Sequence, residues 1–389
     1  MPQSVHTSRW ISQVAHMGWD IRLFSVTDGL PHLGLRNVTI YSLSRYRPKG
    51  LHSSVRIIGL WPWRLGAEFQ LYILRRFVLG RALHAVWLAL VIRSVKPTII
   101  HSLEIQHAAY LTLTAKAYFS RNFPTWLVTS WGSDIYLFGR LADHIQRIKA
   151  VLQSCDYFQC DCKRDVELAR EIGLTAEVLP VLPGGGGFDL DRAAKLRQQG
   201  PVSSRRLVLL KGYQHWAGRS LVGLQAIALC AEELRTFRIA VYLATEDVRI
   251  AAELISHSTG LLIDSVPPTA HDEMLRLYGQ ARISIGLSIS DGLPNSLLEA
   301  MIMGAFPIQS NTACADEWIT DGRTGLLVSP EDPYVVAAAL RRALSDDQLV
   351  DDAAEQNYQQ SRERLRADVL QKQVVNLYQS MAVRPRRRR

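Results

Sequence analysis

Seven residues separate two carboxylates, Asp291 and Glu299, in the stretch at 287–309. Asp291 precedes a turn at 292–294, and Glu299 lies about one turn inside the helix that the apolar spacing after the turn predicts. A carboxylate can accept hydrogen bonds from two hydroxyl groups at once, which suits the vicinal diol of a ribose or a sugar. The pair therefore predicts a site for a ligand rich in hydroxyl groups.

The start of that predicted helix offers backbone N–H groups to an anion. Asn295 and Ser296 are residue types that cap helices, and the strand before them ends near Ser288. Ligands of open α/β sheets bind at the carboxyl ends of such strands, and unpaired amides at a helix start suit a diphosphate. The free N–H groups at this helix start would be those of Asn295, Ser296 and Leu297.

The elements that position this segment alternate between strand and helix along the chain. Apolar runs rich in Val, Ile and Leu are followed by segments of helical period, including a long one at about 66–94. This pattern predicts an α/β fold of two doubly wound, Rossmann-like domains that face a central cleft. The predicted bounds are a first domain at 1–188, a linker at 189–204, a second domain at 205–360, a terminal helix at 361–383 that crosses back, and an arginine-rich tail at 384–389.

The first predicted element is a helix at about 7–16, whereas a doubly wound domain ordinarily opens with a strand. Only a few residues precede this helix. We interpret the pattern as a first domain whose first strand is missing. Either the domain lacks that strand or the sequence starts downstream of the natural N-terminus, and we favour the second explanation.

Basic charge lies at the two ends of the chain, which carries a net charge of +9. Residues 1–100 hold 13 Lys and Arg against 3 Asp and Glu, and they include five of the nine tryptophans. Residues 201–383 hold 16 basic against 22 acidic side chains, and five arginines lie in the last six positions. Basic and aromatic residues together favour docking on an anionic membrane surface. Nucleic acid is not expected as a partner, because no nucleic-acid-binding module accompanies the tail.

No metal ion or cofactor is expected from the sequence. Cys160 and Cys162 lack the spacing of a zinc knuckle, and the D-x-D motif at 189–191 follows a glycine run, where a turn and a helix cap are more typical. No signal peptide is visible, and the most apolar stretch, 77–92, is shorter than the roughly 20 residues that span a membrane. We therefore predict a cytoplasmic protein and, as a further hypothesis, peripheral attachment at the inner face of the cell membrane.

Asp291 and Glu299 resemble the E-x7-E signature of retaining family 4 glycosyltransferases, the glycosyl transferases group 1 with the GT-B fold. The flanking segments at 274–286 and 319–333 are similar to the blocks on either side of that signature. The resemblance is strong over roughly 205–345 and looser in the first half of the chain. It implies a donor site in the second domain and an acceptor site in the first.

The resemblance implies a role for each matching residue. Glu299 would bind the donor ribose, and Asp291 would bind the donor sugar with a side chain one methylene shorter than the family's Glu. The diphosphate would be cradled by Gly292, Leu293, Pro294, Asn295 and Ser296. Lys211 and Arg219 would neutralise the departing phosphate, although they lie farther apart than the family's basic pair. Catalysis would then depend on these four side chains without a metal ion.

The first domain of this family receives the acceptor, which is often a lipid-linked glycan. Trp131 stands where many members have a histidine, so the polar contact would fall to other residues. The acceptor-side candidates are His6, His101, His107, Trp131, Ser133 and Asp134.

The predicted function is a retaining glycosyltransferase of hexosyl or N-acetylhexosaminyl type. It would move a sugar from a nucleotide-sugar to a glycan or lipid-linked acceptor in cell-surface polysaccharide or glycolipid synthesis. Two alternatives remain open. One is a sugar-nucleotide epimerase with the same fold, and the other is a degenerate glycosyltransferase that acts as a non-catalytic partner.

Overall fold

Two units divide the chain in this computed structural model, which describes residues 1–27, 29–61 and 79–383. Unit 1 holds Met1–Gly186 together with the chain from Asp368 onward, and unit 2 holds Gly187–Ala367. The arginine tail at 384–389 lies outside the described residues, as do residues 66–78 of the predicted long helix.

Seven strands of the described residues belong to unit 1, and all their pairings are parallel. They are β1 (Arg22–Phe24), β2 (Thr39–Ser44), β3 (Arg56–Trp61), β4 (Ile99–Leu103), β5 (Thr125–Ser130), β6 (Tyr157–Cys160) and β7 (Glu177–Val178). They form two sheets, in the orders β1-β2-β3 and β4-β5-β6-β7. The described strands of this unit therefore do not form one continuous sheet.

Helices of unit 1 precede or follow these strands, as expected for βα units. They are α1 (Val5–Ser12), α2 (Leu79–Val95), α3 (Tyr110–Lys116), α4 (Ala142–Ser154) and α5 (Lys163–Ile172). A π-helical turn at Ile105–Ala109 leads from β4 into α3. The carboxyl ends of β4 and β5 thus feed directly into the loops that carry several candidate residues.

Unit 2 is a single parallel sheet with helices between its strands. The strands are β8 (Leu207–Lys211), β9 (Arg238–Tyr242), β10 (Leu262–Val266), β11 (Ile283–Gly286), β12 (Phe306–Ser310) and β13 (Leu326–Val328). The helices are α6 (Leu190–Leu196), α7 (Ser220–Leu229), α8 (Glu246–Thr259), α9 (His271–Gln280), α10 (Asn295–Met303), α11 (Pro333–Ser345) and α12 (Asp347–Arg364). A last helix, α13 (Ala367–Val383), returns the chain to unit 1.

The order in which strands are added to the sheet of unit 2 reverses between β8 and β11. Its strand order is β10-β9-β8-β11-β12-β13, so the chain builds outward from β8 on one side and from β11 on the other. Ile285 pairs with Leu210, which brings the carboxyl ends of the two strands side by side. Ligands of open α/β sheets bind at such a switch point.

Buried side chains on both faces of that sheet hold unit 2 together. Val208 and Leu210 lie in one hydrophobic core, whereas Leu207 and Leu209 lie in the core on the opposite face. Neighbouring residues of a strand point to opposite faces, so a strand covered on both sides reads as a continuous apolar run. This explains why the strands of unit 2 are conspicuous in the sequence.

Helix α13 completes the core of unit 1 from the far end of the chain. Leu370, Val374 and Leu377 pack in one cluster with Trp10 and Leu127. The Tyr378 hydroxyl accepts a hydrogen bond from Trp10 Nε1 at 2.8 Å. The first and last described helices are thereby joined within one unit.

The predicted linker at 189–204 contains a helix of unit 2. Asp189 caps α6 by accepting a hydrogen bond from the Arg192 N–H at 3.0 Å. Leu190 and Ala193 are buried in a core of unit 2. The first of the two Asp residues in the D-x-D motif therefore has a local capping contact.

Candidate functional site

Lys211 and Asp291 meet at the switch point of unit 2. Lys211 is the last residue of β8, and Asp291 lies in the loop after β11. The Lys211 Nζ atom is 3.9 Å from the Asp291 Oδ2 atom, and both side chains are partly exposed. Asp291 Oδ1 accepts a hydrogen bond from the Gly292 N–H at 2.9 Å. One carboxylate oxygen thus braces the turn while the other faces the lysine.

Arg219 lies on a neighbouring loop that is tied to the same strand ends. Its backbone N–H donates to the Leu287 carbonyl at 3.1 Å, and it directly precedes α7. Its guanidinium donates to the Gly218 carbonyl at 3.0 Å and reaches the exposed Glu331 carboxylate at 3.3 Å. The structure therefore places Arg219 beside the switch point, paired on its outer side with an acid.

His215 is a site residue that the sequence did not single out. It lies in the loop between Lys211 and Arg219, and its Nδ1 atom accepts a hydrogen bond from the Ala217 N–H at 3.0 Å. Partial desolvation and the positive charge of Lys211 lower the pKa of His215, against the opposing effect of Asp291. A lowered pKa favours the neutral ring, which can accept or donate a proton. The sequence signal that could have identified His215 is its position between the two predicted cations, Lys211 and Arg219.

The start of α10 presents unpaired backbone donors. Pro294 precedes the helix, and its carbonyl accepts from the Leu297 N–H at 3.0 Å. Within the part of the chain that the structure describes, the N–H groups of Asn295 and Ser296 have no hydrogen-bond acceptor. Such amides, with the partial positive charge of the helix end, can bind a phosphate oxygen. Two residues of the predicted donor-binding segment, Asn295 and Ser296, therefore have N–H groups available to an anion.

Glu299 lies on α10 and is held from a second helix. Its Oε1 atom is 2.8 Å from Nε2 of His271, the first residue of α9. The Glu299 side chain is 12% exposed and that of His271 is 43% exposed. Below them the hydroxyls of Tyr242 and Tyr278 are 2.7 Å apart. Burial raises the pKa of both tyrosines, and the Glu299 charge adds to that effect.

His101, in unit 1, has both ring nitrogens in hydrogen bonds. Nδ1 is 2.7 Å from the Tyr378 hydroxyl and Nε2 is 2.6 Å from the Thr129 hydroxyl. Burial lowers the pKa of His101 to about 3, so the ring is neutral at neutral pH. The described contacts hold this partly exposed candidate against other side chains of unit 1.

Asp134 joins the carboxyl ends of β4 and β5. Its Oδ2 atom accepts from the backbone N–H groups of Ile105 at 2.9 Å and Trp131 at 3.1 Å. The side chain is buried. Burial and the nearby charge of Glu104 raise the pKa of Asp134 well above its usual value. The carboxyl group therefore organises the two loops in which the other acceptor-side candidates lie.

Trp131 and Ser133 lie in the loop after β5, and His6, on α1, lies near Trp131. The His6 and Trp131 ring centroids are 6.0 Å apart, and the Ser133 carbonyl accepts from the Leu137 N–H at 3.1 Å. A Cβ atom on Gly184 would lie 2.7 Å from Trp131 Nε1, so the indole packs directly on that glycine. The structure thus brings three of the predicted acceptor-side residues to one end of unit 1.

Glu104 is a second residue that sequence reasoning missed. Its φ of 87° and ψ of 147° fall in a region that is almost restricted to glycine. Its Oε1 atom accepts from the His107 N–H at 2.6 Å and is 2.8 Å from His107 Nδ1. Its Oε2 atom is buried and, among the described residues, has no hydrogen-bond partner. Strained residues of this kind concentrate at functional sites, but strain cannot be predicted from sequence.

Known proteins resemble this chain in sequence over part of unit 2 and in fold over nearly its whole length. Residues 221–346, which include α10 and both carboxylates, match the family model described as Glycosyl transferases group 1. Among curated proteins none matches the sequence. The family match therefore covers about one third of the chain, and it is the part in which Asp291 and Glu299 lie.

Sucrose-phosphate synthase of Thermosynechococcus elongatus superimposes with a TM-score of 0.65, covering 93% of this chain and 98% of the other at 16% identity. HepE of Anabaena, in complex with UDP-glucose, gives a TM-score of 0.66, covering 93% and 99% at 14% identity. The chain has the GT-B fold. A trehalose-6-phosphate synthase studied for glycosyl transfer with retention shares this fold at a TM-score of 0.69, covering 95% and 100% at 13% identity. At these identities the likeness establishes the GT-B fold alone.

Proposed function

We propose that the protein is a retaining glycosyltransferase that uses a nucleotide-sugar donor. The observation that carries the proposal is the arrangement of Lys211, Asp291 and the unpaired amides of Asn295 and Ser296 around one switch point, with Glu299 one turn farther along α10. Cations and helix amides suit a diphosphate, and carboxylates suit the hydroxyls at either end of it. The group 1 match over the same residues supports the proposal.

The donor would lie across the start of α10. Its diphosphate would contact the amides of Asn295 and Ser296 and the cations Lys211 and Arg219. Asp291 would accept hydrogen bonds from hydroxyl groups of the sugar. Glu299 would accept hydrogen bonds from hydroxyl groups of the ribose. UDP-glucose is the first donor to test, because HepE, which shares the fold, is in complex with it.

Transfer would depend on stabilising the leaving diphosphate. The bond between the sugar anomeric carbon and the phosphate oxygen breaks, and the acceptor oxygen bonds to that carbon from the same face. The acceptor proton passes to the departing phosphate oxygen. Preorganised cations and N–H groups stabilise the charge that develops on that oxygen, so no divalent metal ion is needed. Retention in this form is supported by the trehalose-6-phosphate synthase, which shares the fold and was studied for transfer with retention.

Unit 1 would bind the acceptor at the carboxyl ends of β4 and β5. Asp134, Trp131, His107 and Glu104 are gathered there. We propose a hexosyl or N-acetylhexosaminyl transfer to a glycan or lipid-linked acceptor of cell-surface polysaccharide or glycolipid synthesis.

Peripheral membrane attachment is the corresponding proposal for location. No helix among the described residues combines the length and hydropathy that crossing a bilayer requires. Of the five N-terminal tryptophans, Trp10 is buried and Trp87 packs against Phe24, so the basic charge of residues 1–100 supports the proposal more than the tryptophans do. Flotation with anionic and neutral liposomes tests it, and equal recovery with both would contradict it.

The decisive experiment measures nucleoside diphosphate released from UDP-glucose, GDP-mannose and ADP-glucose with and without a lipid-linked glycan, in EDTA. The expected result is acceptor-dependent release by the wild-type protein, lost in Asp291→Ala and Glu299→Ala. Release of free UDP or sugar without acceptor would favour the epimerase. No turnover, together with no nucleotide binding, would favour a non-catalytic partner protein.

A further inference from the structure

The hydrogen bond between His271 and Glu299 joins two helices of unit 2 at the proposed donor site. The two residues are 28 positions apart, and Nε2 of His271 is 2.8 Å from Oε1 of Glu299. His271 is the first residue of α9, and Glu299 lies in the middle of α10. The histidine is therefore fixed by a different element from the carboxylate that it contacts.

The two oxygens of Glu299 have different surroundings. Oε1 is occupied by His271, whereas Oε2 has no hydrogen-bond partner in the residues that the structure describes. The tyrosine hydroxyls beneath Glu299 bond to each other. The Glu299 side chain is only 12% exposed, so its rotamers are limited by packing as well as by the histidine. One oxygen is thus anchored and the other is left for a ligand.

We propose that His271 is a positioning residue that aims the Glu299 carboxylate at a ribose hydroxyl and thereby makes the site selective for ribonucleotides. The inference rests on the proposed donor-binding function. An unrestrained glutamate side chain samples several rotamers, and ordering it when the ligand binds costs free energy. A hydrogen bond that fixes the carboxylate beforehand removes part of that cost from ligand binding.

A ribose hydroxyl that bonds to a fixed carboxylate contributes more binding free energy than one that bonds to a mobile carboxylate. A deoxyribonucleotide that lacks the contacted hydroxyl group gains nothing from that contact. His271 therefore affects the ratio of ribonucleotide to deoxyribonucleotide affinity, whereas a residue that only stabilised α9 would change both affinities equally. This difference separates a positioning role from a structural one.

The experiment measures Kd by titration calorimetry with the full chain. UDP, GDP and ADP are compared first, and the best ligand is then compared with its 2′-deoxy and 3′-deoxy forms. The variants are His271→Ala, which removes the donor, and His271→Gln, whose amide N–H can restore it. His257→Ala is the matched control, because His257 lies on an exposed face of α8 in the same unit.

The wild-type protein is expected to prefer the ribonucleotide over at least one deoxy form by about tenfold, the order expected of a hydrogen bond to a charged group. His271→Ala should reduce that preference to less than about twofold, His271→Gln should recover most of it, and His257→Ala should leave it unchanged. An undiminished preference in His271→Ala, or an equal loss of both affinities, would overturn the inference.

Two other outcomes concern the proposed function itself. If the wild-type protein binds no nucleoside diphosphate, the donor site is wrong and the role of His271 is wrong with it. If the protein binds the diphosphate without preferring ribose, the diphosphate site stands, but the assignment of Glu299 to the ribose is overturned and so is this inference.

Discussion

The Lys211 ammonium lies 3.9 Å from the Asp291 carboxylate at the switch point of unit 2. A carboxylate next to a diphosphate would repel it, and the positive charge of the lysine offsets that repulsion. Both groups are partly solvated, so the pair contributes little to folding stability. The effect of the pair is local, because the positive charge of Lys211 balances the negative charge of Asp291.

The first prediction concerns Asp291. In Asp291→Asn the amide oxygen still accepts from the Gly292 N–H, but the charge that faces Lys211 and the sugar is lost. We expect turnover to fall by about 100-fold, the loss typical of one electrostatic group in an active site. Initial rates of nucleoside diphosphate release measure this, and Asp264→Asn, which removes an exposed acid of the same unit, serves as the control. Turnover within a factor of three of the wild type would contradict the role of Asp291.

The second prediction concerns Arg219. Arg219→Ala removes a cation beside the switch point, and we expect UDP to bind about tenfold more weakly because a charge-assisted hydrogen bond is lost. Glu331→Gln removes only the exposed partner of that arginine, so UDP affinity should stay within about twofold. Calorimetric titration of both variants gives the comparison. Equal affinities in the two variants would place Arg219 outside the phosphate site.

Tyr378→Phe tests the connection between α13 and the rest of unit 1. The change leaves the Trp10 Nε1–H without its acceptor and His101 Nδ1 without its partner. A buried polar group left unpaired costs about 1–3 kcal/mol. Hydrogen exchange should therefore show less protected amides in β4 and β5 and unchanged protection in unit 2. Tyr334→Phe, at a tyrosine that is 72% exposed, is the control, and equal effects of the two changes would argue against the connection.

Acid should destabilise unit 1 through His101. The pKa of His101 is about 3 in the folded protein because the ring is buried, against about 6.5 in an unfolded chain. The unfolded state therefore binds the proton first, and stability falls as the pH drops from 6.5 towards 3, by about 1.4 kcal/mol per pH unit.

His101→Gln removes that proton and should flatten the slope between pH 6 and pH 4. Asp134, whose pKa is raised by burial, acts in the opposite direction in both proteins, so the difference between them isolates His101. The measurement is hydrogen exchange of the β5 amides as a function of pH. Parallel curves for the two proteins would show that His101 does not control the slope.

Local patterns predicted the strand, turn and helix that carry Asp291 and Glu299, but not the contact that a second helix makes with Glu299. The strand, turn and helix around Asp291 and Glu299 are neighbours in sequence, so their spacing implies their arrangement, and the GT-B fold predicted from the resemblance is confirmed. His271 reaches Glu299 only because α9 packs beside α10, which is a tertiary contact. No periodicity carries that information.

Residues of unit 1 show the same limit in another form. Glu104 directly follows the strand β4, but nothing in the sequence spacing predicts its positive φ of 87°. Asp134 was an acceptor-side candidate from the sequence, and its buried contacts with Ile105 and Trp131 depend on two strand ends meeting. Sequence spacing indicated which loops matter, while the roles within them depend on packing.

The contribution of α13 to unit 1 has a consequence for how the protein is made. Domains generally fold in the order in which the ribosome releases them. Here the core around Trp10 and Leu127 needs Leu377 and Tyr378, which are synthesised after the whole of unit 2. Unit 2 is continuous in the chain and can fold first, so the core of unit 1 stays incomplete, with apolar surface exposed to water, until α13 has been made.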